Sequence, residues 1–238
     1  LAPKDTTSHT PLDLRINSLI IRHSSVKYDQ LDAPTTPEQF NPQHLYMRNI
    51  SGYIVLKTLT DDSLDVNIKR LELTEHSGLE LNKVSLRLKA DRQGAALRQF
   101  NLQMPSTQVC IDTLDATYRF NDDQFDTSSL ALSGEIRDTY ITPSDIRCFY
   151  KPLKNFQKAI HIDSRFQGQD RQLTIPQLHI QTLTSELDLQ ANGSITKGND
   201  GIAWTVKVDK LHLSESIIDF LSKHISEGKS AANLPLQR

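Results

Sequence analysis

The residues of this chain whose types could do chemistry are eight histidines, two cysteines, two adjacent-aspartate pairs and two Ser-x-x-Lys matches. A metal centre needs His, Cys or carboxylate ligands at short, fixed spacing. His9, His23, His44, His76, His161, His179, His212 and His224 stand singly, and there is no CxxC or HExxH. Ser24-Ser25-Val26-Lys27 and Ser226-Glu227-Gly228-Lys229 have the Ser-x-x-Lys form. A serine nucleophile of that class needs a helix start and further partners. Ser24 falls in a strand pattern and Ser226 at a fraying end. Asp61-Asp62 and Asp122-Asp123 fall in turn signals, where Asp is favoured because it bonds nearby backbone. No Gly-x-Ser-x-Gly elbow, phosphate loop or dinucleotide fingerprint is present. The expectation is a non-enzyme with no catalytic residue, no metal and no cofactor.

The elements that would position any site are strands, and one segment is used twice. Residues 97–119 and 175–197 align at a constant offset. Gln99 falls on Gln177, Phe100 on Leu178, Leu102 on Ile180, Gln103 on Gln181, Val109 on Leu187 and Ile111 on Leu189. Apolar residues take every second position on both sides of a short polar break, the pattern of a strand, a turn and a strand. The repeat continues where Tyr140–Phe149 resembles His212–Leu221. Each copy ends a strand in Ile or Leu, then has Thr142 or Ser214 as expected N-caps, with Pro143 at a first helical position. A segment that repeats in this way belongs to an array that grows by adding hairpins.

This gives five expected segments. Residues 1–11 are linker, and 12–96 an N-terminal β segment. That segment holds a loop over 30–44, with Pro34, Pro37 and Pro42, expected to be the most mobile part. Residues 97–156 form the first repeat unit. Residues 157–229 form the second, ending in a helix over 214–227, and 230–238 are a frayed tail. The opening on Leu1 and a polar stretch reads as a piece of a longer protein. The alternation marks antiparallel sheet with one wet face. The apolar faces must meet one another in a sandwich or line an open groove. A hydrophobic content of 37% is low for a closed globule and favours the groove. The expected fold is mainly β: repeated antiparallel strands in an elongated curled sheet, with short helices closing the repeat units.

A net charge of −2 with both signs interspersed gives no case for nucleic acid or an anionic membrane surface. Cys110 and Cys148 read as buried free thiols, with a disulfide as the alternative in an oxidising compartment.

Ser25-Val26-Lys27-Tyr28-Asp29 is followed by Phe40 and Leu45-Tyr46-Met47-Arg48-Asn49-Ile50 after a loop, then by Leu71–Leu79 with its Ser77-Gly78. The strand pair around Pro105-Ser106-Thr107 and the stretch Ser214–Phe220 complete the set. Together these motifs resemble the AsmA-like, TamB-type (translocation and assembly module) family of envelope proteins. The likeness covers residues 12–225; each motif is degenerate, and their order and spacing are the stronger signal. The resemblance implies a periplasmic β-groove, anchored in the inner membrane in the full-length protein, that carries phospholipid for outer-membrane biogenesis. It also implies an outer-membrane barrel partner reached through regions outside this chain. On that reading the acyl chains would meet Leu64, Val66, Ile68, Leu86, Leu88, Phe100, Leu102, Met104, Val109, Ile111, Leu187, Leu189, Trp204 and Val206. The other function expected from exposed strands is a scaffold that pairs its edges with strands of outer-membrane proteins.

Overall fold

The computed structural model describes residues 11–121, 124–169, 171–198, 201–219 and 222. The expected linker up to residue 10, the Asp122-Asp123 turn, half of the 214–227 helix and the 230–238 tail lie outside the described residues.

Eleven strands follow one another in a single antiparallel sheet, each paired to the next in chain order. They are β1 (Asp13–Asp29), β2 (His44–Thr60), β3 (Leu64–Glu75), β4 (Glu80–Ala90), β5 (Gly94–Gln103) and β6 (Gln108–Asn121). Then come β7 (Gln124–Ile141), β8 (Ile160–Gln169), β9 (Gln172–Thr182), β10 (Leu187–Lys197) and β11 (Ile202–Leu213). β1 and β11 are not paired with each other, so the sheet is open. At about 4.8 Å per strand it extends roughly 48 Å across its strands.

The two repeated sequence segments fall on β5–β6 and on β9–β10, four strands apart. The irregularities repeat with the same period. β1, β5 and β9 each carry one extra residue at the same height, between Ile16 and Leu19, Leu97 and Phe100, and Ile175 and Leu178. β3, β7 and β11 carry theirs one step further, between Ile68 and Leu71, Ile136 and Thr139, and Val208 and Leu211. Gln99 and Asp138 sit in these bulges with φ of 53° and 48°, the left-handed region that ordinary residues avoid. A bulge bends its strand and adds twist. With every odd-numbered strand bulged near mid-length, the sheet is creased along a line crossing the strands. Further bulges occur elsewhere, as at His23 and Asn49.

Short 3₁₀ turns, Pro143–Ile146 and Lys151–Asn155, join β7 to β8. The stretch 142–149 runs as a strap along one rim of the sheet, over the ends of three hairpins. At the β5–β6 turn, the Thr107 hydroxyl accepts the Thr142 amide at 2.9 Å and the Thr142 hydroxyl donates to the Ser106 carbonyl at 2.7 Å. An Asp145 carboxylate oxygen accepts the Ser106 amide at 2.8 Å. At the β3–β4 turn, Arg147 lies against Gly78 and Cys148 beside Ser77. At the β1–β2 loop, the Phe40 amide donates to the Cys148 carbonyl at 3.0 Å, and the Phe40 and Phe149 rings stand 5.1 Å apart. Thr142 is therefore not a side-chain N-cap as expected; its hydroxyl ties the strap to the sheet. Ser214 does cap, its hydroxyl accepting the Ile217 amide at 3.4 Å.

The closed core sits under this rim. Among the described residues only Ile50, Met104, Pro143, Cys148, Ala191 and Ile217 are buried apolar side chains. Both cysteines are free thiols. The 30–43 loop, expected to be loose, is tied down. Asn41 is buried and its amide donates to the Pro34 carbonyl. His44 lies between the Asp29 carboxylate at 2.5 Å and the Ala33 carbonyl at 3.0 Å. Only a doubly protonated ring satisfies both acceptors, and its hydrogen bonds to the Asp29 carboxylate and then to the Ala33 carbonyl raise the His44 pKa.

Candidate functional site

Residues directly opposite on neighbouring strands share a face. Following the register gives one unbroken row across all eleven strands: Leu14, Leu59, Leu64, Ala90, Ala95, Ala116, Leu132, Gly168, Leu173, Ile195 and Trp204. A second row runs Ile16, Leu56, Val66, Leu88, Leu97, Leu114, Gly134 and Phe166. It resumes at Ile175, Gly193 and Val206 beyond the β9 bulge. Two more rows lie nearer the strap. One includes Ile68, Leu86, Phe100 and Ile111; the other includes Leu102, Val109, Leu189 and Leu211. The rows run perpendicular to the strands and along the crease. Each row ends at the two free edges.

Every residue expected to meet acyl chains stands on this face. Leu64, Val66, Ile68, Leu86, Leu88, Phe100, Leu102, Val109, Ile111, Leu187 and Leu189 are half-buried. They are screened by neighbours within the sheet, and among the described residues no second layer covers them. Trp204 and Val206 are open, 71% and 54% exposed. Met104 differs: at 6% exposure it is part of the closed core at the rim beside Thr107. Leu14, Ile16, Leu56, Leu59, Leu97, Leu114, Leu132 and Phe166 belong to the same face and were not anticipated. The one available signal was alternation, and single inserted residues interrupt it on β1, β2, β5 and β6.

Small residues shape the rows. Gly134 lies opposite Phe166, and a Cβ there would stand 2.7 Å from the Phe166 ring. The ring thus lies across the glycine and fills its place in the row. The rim opposite the strap carries an aromatic cluster. Tyr118, Phe120 and Phe125 meet edge to face at 5.4–5.8 Å, and the Arg92 guanidinium lies 5.1 Å over Phe120. Phe120 helps line a hollow of about 490 Å³ with Leu59, Leu64 and Ala90.

The other face is polar. Lys89 pairs with Asp65 at 3.4 Å, and Arg98 with Asp115 at 2.5 Å. Glu135 takes both Arg165 and Arg137 at 2.8 Å, and these guanidiniums hold its carboxyl below the usual range. Lys210 and then His179 do the same for Asp188. Such exposed pairs are screened by water and add little to stability; they serve mainly to keep this face wet. His161 is buried, its ring 4.7 Å from that of Tyr140 with Gln181 on its Nδ1. Among the described residues no group of three or more His, Cys, Asp or Glu is placed to hold a metal ion, and no helix is long and apolar enough to cross a membrane.

The arrangement offers a continuous apolar strip with an aromatic rim, backed by a solvated face. It presents surface to an apolar chain. Comparison with protein-family models, with curated proteins and with solved structures finds no match for the chain.

Proposed function

We propose that this chain is a non-enzymatic segment of a bridge-like lipid-transport protein of the AsmA-like, TamB type, holding phospholipid acyl chains against the apolar face of its creased sheet. The observation that carries the reading is the row from Leu14 to Trp204, which crosses eleven strands without a charged residue and without a covering layer. An apolar strip of that length exposed to water is unfavourable, and each CH₂ laid on it contributes about 0.8 kcal/mol. Because the rows run along the crease, an acyl chain lying in it could shift from strand to strand without meeting a polar step. The setting this reading supplies is the periplasm, with an outer-membrane barrel reached through regions beyond this chain.

The test is direct. The purified chain is extracted with organic solvent and its lipids identified by mass spectrometry, beside an unrelated β-protein handled identically. Stoichiometric phospholipid in this sample alone is the expected result. Val66→Asp and Leu102→Asp place a carboxylate in two different rows, and each is expected to remove the lipid while the circular dichroism stays that of a β-sheet. A lipid-free wild-type chain, or loss of folding in both variants, would make these rows ordinary core.

A further inference from the structure

We propose that the free edge of β11 is a docking surface for an extended segment of another polypeptide: an unbulged strand, apolar at alternate positions, laid antiparallel on β11 as β8 is laid on β7. The inference does not rest on the lipid reading.

Three observations converge. First, β11 continues the apolar rows and ends them unfinished. Trp204, Val206, Val208 and Leu211 are 71%, 54%, 51% and 57% exposed, while residues of the same rows on β3–β6 are half-buried. Alternate backbone N–H and C=O groups along an edge strand lack a strand partner, which is the basis of strand addition.

Second, the four-strand period fixes what this edge fits. β11 is bulged between Val208 and Leu211 as β7 is between Ile136 and Thr139. β7 carries on its far side the ten-residue β8, which runs Phe166, Ser164, Ile162 along the rows without an insertion. A strand of that kind keeps register with both sides of the β11 bulge. A second copy of this chain does not supply it. β1 and β11 are both odd-numbered in an antiparallel meander, so head-to-tail stacking would set them parallel. Odd-numbered strands are nowhere neighbours in this sheet.

Third, the edge is lightly defended. Proteins blunt edge strands with proline, charged side chains, above all Lys, or repeated bulges. β1 shows such devices: four irregularities in its ladder and Pro11 just before it. β11 has a single irregularity and no proline, and its charged residues, Lys207, Asp209 and Lys210, stand on the wet face outside the apolar rows.

The side chains add a requirement. Trp204 takes the row position held by Leu132 on β7, which faces Gly168. Val206 takes that of Gly134, which faces Phe166. The incoming strand therefore carries a small residue opposite Trp204 and one smaller than Phe opposite Val206.

Trp204 is the only tryptophan, so its emission reports on this edge. The full 238-residue chain, freed of lipid, is titrated with a peptide of the Ile160–Gln169 sequence carrying Phe166→Val. The expected result is a saturable blue shift. A scrambled peptide with its apolar residues contiguous gives none, and Val208→Lys in the protein removes the response with unchanged circular dichroism. No shift with either peptide overturns the proposal, and so does an equal shift with both. A shift that grows with protein concentration in the absence of peptide, with a dimer in sedimentation, overturns it too, because the edge then belongs to a second copy.

Discussion

One carboxylate under the strapped rim gathers several donors. Glu75 is 3% exposed; its Oε2 accepts the Ser77 amide at 2.7 Å and the Ser77 hydroxyl at 2.5 Å, and its Oε1 accepts the Tyr46 amide at 3.3 Å. Burial alone would raise its pKa, but the Ser77 hydroxyl, the Ser77 amide and the Tyr46 and His76 amides outweigh it, and the net shift is downward from 4.5. The sign follows from linkage. A group held lower in the folded state stabilises it above the unfolded value, and that contribution is lost as pH falls through the folded value. Glu75→Gln keeps the shape but turns an amide NH₂ towards one set of donors. The expected cost is about 1–3 kcal/mol at neutral pH, with a flatter acid limb below pH 4.5. Denaturant midpoints across that range measure both. A variant as stable as wild type, with an unchanged acid limb, would mean that these hydrogen bonds contribute nothing net.

At the scale of elements, the straight strands were legible and the bent ones were not. Leu64, Val66 and Ile68 on β3, and Leu187 and Leu189 on β10, alternate cleanly, so their face could be read directly. Leu97 and Phe100 share a face although they are three apart in sequence, because Gln99 takes the left-handed bulge between them. Alternation read without that bulge sends Leu97 to the wet side. The repeat was visible in the same stretch, but that it marks a four-strand structural period follows only from the register. Thr142-Pro143 announced a turn of helix correctly. The strap's route over three hairpins rests on contacts distant in sequence, which no local pattern encodes. Thr107 is the hinge of that route, buried at 4% exposure between the Thr142 amide and carbonyl. Thr107→Val matches its shape but leaves the Thr142 amide buried without an acceptor. Urea unfolding is expected to show a loss of about 1–3 kcal/mol. Thr107→Ser keeps the hydroxyl and should recover most of it. If Val and Ser behave alike, the strap is held by packing and this hydrogen bond is incidental.

At the scale of the whole molecule, each inner strand gains its support from two neighbours, and among the described residues the strap is the one element that crosses several of them. Such an arrangement approaches a one-dimensional array, in which stability is a sum of local and nearest-neighbour parts and opening starts at an unsupported end. The two ends differ. β2–β7 lie between the strap and their neighbours, with Phe40, Ser77 and Ser106 all tied to residues 142–149. Beyond β8 the ties reach a shorter distance. Ser216 donates to the Glu186 carboxylate at 3.2 Å and the Ser214 amide to the Glu186 carbonyl at 2.7 Å, fastening the end of β11 to the β9–β10 turn. Among the described residues β11 has no outer neighbour, and its residues are exposed along most of its length. Native-state hydrogen exchange is therefore expected to fall in steps from β7 outward, with β11 least protected and β5–β6 most. Thr107→Val should lower the plateau at β5–β6 and leave β10–β11 unchanged, because the strap does not reach them. Uniform protection across the eleven strands would mean that the sheet opens as one cooperative unit. The four-strand period would then be a feature of geometry with no counterpart in the energetics.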